Sequence, residues 1–173
     1  MMIQDLADFV MCLWEPDDVI ELRCLRDSDS RRFWNYASEL PEQADNLAAL
    51  NAEGWNIYTG AAPRPKHGIS GDANIKLCRV LFADFDGKHL NGSEDHIEYV
   101  RAKVKDAGLP VPTMIVFSGH GIHCYWRLAE PIEPDRWKKA NSRLSTILGS
   151  DMSICNPERI MRLPGLMNNK PPA

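Results

Sequence analysis

The chain lacks any apolar run approaching the roughly 20 residues that a helix needs to cross a bilayer. Its first residues, with Asp5 and Asp8 early, also lack the basic-then-apolar layout of a secretory signal. A cytoplasmic protein is the expectation. No C-x-x-C pair occurs, and the five cysteines, Cys12, Cys24, Cys78, Cys124 and Cys155, are odd in number and widely spaced. That argues against a disulfide framework and against a zinc knuckle in this segment. Compositional bias is missing too, since 44% hydrophobic and 25% charged residues are ordinary for a globular protein. With 173 residues the chain suits one domain, or one domain with an appended subdomain, and can bury a substantial core.

Net positive charge is absent as well, at −4, which speaks against a nucleic-acid partner until the total is divided. Residues 1–60 hold 4 basic and 12 acidic side chains, residues 61–133 hold 9 of each, and residues 134–173 hold 7 basic and 3 acidic. A local patch steers association more than the net value does, so a polyanion is expected to approach the C-terminal half.

What is present centres on "VLFADFDG", Val80 to Gly87. Val80 to Ala83 reads as a buried strand running into Asp84 and Asp86. Side chains alternate along a strand, so the two acids share a face, with Cα atoms about 6–7 Å apart. Like charges at that spacing repel unless a cation sits between them, and a divalent-metal pair is a common solution. An Asp at a strand end also serves as a simple turn former.

Around this stretch the chain alternates helices and strands. Ile3, Leu6, Phe9, Val10 and Leu13 recur at helical spacing, and the helix should stop near Pro16. Val19–Arg26 and Arg32–Ala37 read as a hairpin, residues 40–53 as a helix ended by Gly54, and residues 55–59 as a strand. The stretch "GAAPRPKHGISGDA" is a basic, glycine-containing loop that can approach phosphates. Ser93 is the expected N-cap of a helix with Ile97, Val100 and Val104 inward, closed by Gly108. Met114–Phe117 and Ile122–Leu128 form a second hairpin through Ser118–Gly121, with His123, Tyr125 and Arg127 on a polar face and Cys124, Trp126 and Leu128 on a core face. Backbone N–H groups of such a turn can form an anion-binding concavity beside His123. Pro134–Gly149 reads as a helix with Trp137, Leu144 and Ile147 apolar, followed by Asp151 and a short strand from Arg159 to Leu163.

The ordered set is Asp-x-Asp, then Ser-Gly-x-Gly-x-His ending at His123, then Asp151, then Arg-Leu-Pro-Gly. Over roughly residues 55–170 it resembles the archaeo-eukaryotic primase superfamily, and within it the primase-polymerase branch of plasmids, phages and mobile elements. The resemblance implies an α+β fold: an RRM-like catalytic core (residues 76–173) with a mixed or antiparallel sheet, a smaller N-terminal α/β unit (residues 1–75), and the active site in the cleft between them. It implies that Asp84, Asp86 and Asp151 hold two divalent ions, Mg2+ or Mn2+, and that these acids act catalytically with His123. His123 would contact nucleotide phosphates, supported by Ser118, Gly119 and Gly121, with Arg159, Arg162, Arg64 and Lys170 as further nucleotide-binding residues. The implied partners are a single-stranded DNA template and an NTP or dNTP, and the implied activity is priming, polymerisation or both. Rival readings are a polymerase that only extends or fills gaps, a catalytically silent DNA-binding replication initiator, and, from the carboxylates alone, a two-metal nuclease. The terminal "KPPA" reads as the start of a linker, and the matching expectation is a longer replication protein that carries a helicase or primase-accessory domain.

Overall fold

Apolar periodicity sets the first element. The computed structural model describes residues 3–90 and 92–170, with side chains from residue 5; the side chain of Ile3 and the linker expected at residues 171–173 lie outside the described residues. Leu6, Phe9, Val10 and Leu13 are buried, so α1 (Ile3–Leu13) packs along one apolar stripe. β1 (Val19–Arg26) and β2 (Asp29–Tyr36) form the expected hairpin. A 3₁₀ turn over Ala37–Gln43 precedes α2 (Ala44–Ala52). The helix expected from Leu40 therefore begins later, because Pro41 lies inside that turn and withholds a backbone donor. β3 (Asn56–Gly60) then pairs antiparallel with β1.

A second antiparallel sheet follows, from β4 (Cys78–Phe85), β5 (Met114–Phe117) and β6 (Ile122–Ile132), in the order β4-β6-β5. Its register sets Asp84 opposite His123. α3 (His96–Asp106) connects β4 to β5, and α4 (Pro134–Leu148) follows β6 and packs on this sheet. The cap of α3 is Asp95, whose carboxylate accepts from the Glu98 N–H at 3.0 Å; Ser93 instead donates its hydroxyl to the Asp95 carbonyl. Val100 and Val104 are buried, but Ile97 is 40% exposed, and on α4 Trp137 and Leu144 are buried while Ile147 is 47% exposed. The Trp137 indole donates to the Val80 carbonyl at 2.7 Å, tying α4 to the acidic strand.

The last strand, β7 (Ile160–Arg162), pairs antiparallel with β3, so the first sheet reads β2-β1-β3-β7. From β4 onward the element order is β-α-β-β-α-β, that of the split βαβ family. Its sixth member has crossed to the other sheet, so the first sheet is completed by residues 160–162.

The face of β6 expected to be polar is covered. Tyr125 is fully buried against Phe9, ring centroids 5.8 Å apart, while Cys124 and Trp126 pack with α3 and α4 residues on the opposite side. Burying a ring such as Phe9 stabilises by roughly 1.5–3 kcal/mol. Polarity survives only at the ends of the row: Arg127, which donates to the Glu15 carboxylate, and His123.

Candidate active site

The end of β4 brings carboxylates together. Asp84 is three-quarters buried, with Oδ1 3.7 Å from His123 Nε2. The Asp151 N–H donates to the Asp84 carbonyl at 2.9 Å, which pins the exit of α4 to the end of β4. Burial, reinforced by the charges of Asp86 and Asp151, pushes the Asp84 carboxyl up to about 6. For Asp151 burial pulls upward too, but hydrogen bonds from the Ser153 N–H and hydroxyl, both 2.9 Å, outweigh it and hold the carboxyl below its usual range. Asp86 Oδ1 lies 2.5 Å from His89 Nδ1, yet both atoms are buried without a well-aligned hydrogen bond.

His123 is buried and its imidazole is neutral. Burial, then the positive charges of Arg162 and Arg159, lower it to about 3. Burial also pushes the Tyr125 phenol well above its ordinary value, so its hydroxyl keeps its proton. That hydroxyl lies 3.4 Å from His123 Nδ1. The other ring nitrogen, Nε2, is on the Asp84 side.

The turn after β5 closes over these groups. A Cβ on Gly121 would stand 2.3 Å from the Phe85 carbonyl, so only glycine lets the turn approach the acidic strand this closely. Gly119 has φ +94°, and a Cβ there would meet Asn168 at 2.7 Å. Asn168 donates to the Ser118 carbonyl at 3.2 Å and holds the turn from the other side.

Opposite the acids stands a cationic wall. Arg162, 5% exposed, donates to Asn56 Oδ1 (2.9 Å), the Tyr58 hydroxyl (3.0 Å) and Asn168 Oδ1 (2.7 Å), all neutral acceptors. Its guanidinium also lies 4.9 Å over the Tyr58 ring, and Lys170 Nζ lies 5.7 Å from the same ring. Between the walls is a cavity of about 250 Å³ lined by Asp84, Asp86, Ser118, Gly121 and His123 on one side and by Tyr58, Arg159, Arg162, Asn168 and Lys170 on the other.

One expectation needs correction. Arg64 does not reach the cavity: it is buried, donating to Glu21 Oε2 (2.9 Å) and to the carbonyls of Ala62 and Glu158. Glu21 is raised by burial, but Arg23 and Arg64 outweigh that and hold it below the usual carboxylate range. Arg64 is therefore a structural cation. Asp151 lies beside Asp84 but is not among the cavity-lining residues, and among the described residues no group of three His, Cys, Asp or Glu side chains is placed to hold a metal ion. Tyr58, Asn168 and His89 escaped sequence reasoning, and His120, which lines the cavity, reads from the sequence as an exposed turn residue. The one signal for them was adjacency, since Asn168 precedes Lys170 and His120 lies inside the glycine turn.

No family model matches the chain. A stretch of 103 residues is 28% identical to a "Replication protein" of Clostridium perfringens, covering 56% of this chain and 25% of that protein. The match thus spans a quarter of that relative's length. Among solved structures the chain is similar to the AEP domain of the cyanophage S-2L primase-polymerase, with a TM-score of 0.74 and 21% identity over 96% of this chain and 84% of that one. It is also similar to the catalytic domain of primase RepB′ in complex with initiator DNA, with a TM-score of 0.68 and 13% identity over 97% and 78%. The chain has the fold of a primase-polymerase AEP domain, an α+β fold with antiparallel sheets.

Proposed function

We propose that the chain is a catalytic domain of the archaeo-eukaryotic primase superfamily that performs template-directed nucleotidyl transfer on single-stranded DNA during replication. Fold alone does not give activity, so the proposal rests on the cavity. Its walls carry opposite charges: a largely buried Asp84 beside Asp86, which is 3.5 Å from the exposed Lys88, and a buried Arg162 whose side-chain hydrogen bonds, among the described residues, go to neutral groups. A nucleoside triphosphate with divalent cations carries the complementary charges in the complementary order.

Asp84 and Asp86 fit a divalent cation by donor chemistry, because the raised Asp84 carboxyl and the unpartnered Asp86 Oδ1 both gain from one. Asp151 would join as a neighbouring negative charge, each of its oxygens keeping a lone pair beyond the bond from Ser153. Such ions, Mg2+ or Mn2+, would activate the attacking 3′-hydroxyl and neutralise the departing pyrophosphate. His123, neutral with Nε2 facing the acids, would donate to a phosphate oxygen in the Nε2–H tautomer, while Arg162, Arg159 and Lys170 balance phosphate charge. Ser118 and the backbone of the Gly119–Gly121 turn position the same group. The cavity is a little below the usual 300–1,000 Å³ of a ligand pocket, so it takes the phosphate end and leaves sugar and base toward the open side.

The test is incorporation of labelled nucleotide on primed and unprimed single-stranded templates with magnesium or manganese. Wild type incorporates; Asp84→Asn, which keeps the shape and removes the charge, loses at least about 100-fold. Undiminished incorporation by Asp84→Asn would overturn the proposal. Metal-dependent nucleotide binding in calorimetry separates an enzyme from a silent DNA-binding initiator, and the unprimed template separates priming from extension alone.

A further inference from the structure

The cavity is one end of a longer feature. Cross-strand pairing aligns Arg32 of β2 with Arg23 of β1, Arg23 with Tyr58 of β3, and Tyr58 with Arg162 of β7. These four side chains form one row across the whole sheet. They occupy the face opposite the one that buries Leu22, Cys24, Ile57 and Met161. Three interstrand steps of about 4.8 Å carry the row some 14 Å from the cavity to the open edge at β2.

The row is cationic although residues 1–60 are acidic overall. All four basic residues of that segment, Arg23, Arg26, Arg31 and Arg32, lie in the β1–β2 hairpin. On the cleft face Glu21 and Glu158 offset two charges, but Arg23, Arg32, Arg64 and Arg162 supply four. The outermost cation is available: Arg32 is 46% exposed, only 3.9 Å from Glu21 and donating to the Ser70 hydroxyl at 3.2 Å. Two pairs further along the same face of β2, Tyr36 is 44% exposed with its ring 5.1 Å from that of His67. A charged groove with aromatic rings beside it is the arrangement that tracks a single-stranded backbone and stacks its bases.

Resting on the function proposed above, we infer that this face of the four-stranded sheet is the track along which a single-stranded nucleic-acid template runs from the cavity to the β2 edge, with Arg32 and Arg23 facing phosphates and Tyr36 stacking on a base. It places the template on the N-terminal sheet, where net charge alone would have put it on the C-terminal half.

Fluorescence anisotropy of a labelled single-stranded oligonucleotide, titrated at several salt concentrations, tests the track with the 173-residue chain. Arg32→Gln lowers affinity and reduces the slope of log K against log salt by about 0.7, the loss of one phosphate contact. Tyr36→Ala weakens binding about fivefold or more and leaves the slope as it was. Lys139→Gln, on the exposed side of α4, changes neither. Unfolding midpoints of the variants, compared with wild type, confirm that each is folded; all three positions are exposed or at an edge. The track is overturned if folded Arg32→Gln keeps the wild-type slope, or if Lys139→Gln loses as much. Calorimetry with nucleotide and Mn2+ keeps the two ideas apart: a wild type that binds no nucleotide undoes the catalytic reading, while a reduced slope for Arg32→Gln still supports the track.

Discussion

Asp84 sits three-quarters buried beside two other carboxylates, and its pKa rises from 3.8 to about 6. A carboxyl raised on folding contributes stability that is full below about pH 4 and is lost as pH climbs through 6. In metal-free buffer at pH 7.5 the ionised group therefore costs up to about 2–3 kcal/mol. Asp84→Asn should unfold at a higher temperature than wild type there, and the gap should close at pH 4, where both side chains are neutral. Manganese should narrow the gap at pH 7.5, since it stabilises whichever protein binds it in the folded state. Thermal melts at the two pH values decide the matter, and an Asp84→Asn no more stable than wild type at pH 7.5 defeats it. The position of this acid was legible from sequence, because strand alternation and a following glycine fix where a buried strand turns polar. The role of Arg64 was not legible. A basic loop residue reads the same whether it faces a phosphate or Glu21, and that pairing spans 43 residues, visible only once β1 and the loop meet.

At the scale of elements, hairpins were readable and caps were less so. Gly121 illustrates why the β5–β6 turn was found: it needs glycine at the point where a backbone carbonyl of β4 passes. Gly121→Ala puts a methyl 2.3 Å from that carbonyl, and neither side of the contact is a flexible side chain. The strand end must shift, with a loss of about 1–3 kcal/mol. Urea denaturation should show the loss, and nucleotide incorporation should fall with it because Asp84 and Asp86 flank Phe85. A fully active, equally stable Gly121→Ala would contradict this account. Elsewhere the competition between near-equivalent residues decided the outcome. Ser93 and Asp95 both suit an N-cap, and the chain uses the carboxylate, which brings a charge to the helix N-terminus as well as an acceptor. Ile97 and Ile147 have the right character for a helix core stripe but fall at its margin, where the sheet no longer covers them.

At the scale of the whole molecule, the feature hidden from sequence was the crossing of β7. Three residues after a turn carry too little pattern to say which sheet they join, and the pairing with β3 closes over 100 residues of chain. This crossing bears on the division at residue 75, proposed as the limit of the N-terminal subdomain. One core cluster joins Leu6, Phe9 and Leu13 with Ile57, Phe82, Tyr125, Trp137 and Leu163, so both sides of the division bury the same surface. The fragment 76–173 would expose the Tyr125 face of β6 that α1 covers and would leave β7 without β3. Such a fragment should lack a cooperative urea transition, while the intact chain unfolds in one step with fluorescence and circular dichroism coincident. Mixing fragments 1–75 and 76–173 should restore the transition in proportion to their concentration, because the missing contacts are then supplied from outside. A fragment 76–173 that unfolds sharply by itself would show instead that the catalytic subdomain is an independent unit, and that the contribution of β7 to the first sheet is dispensable for its stability.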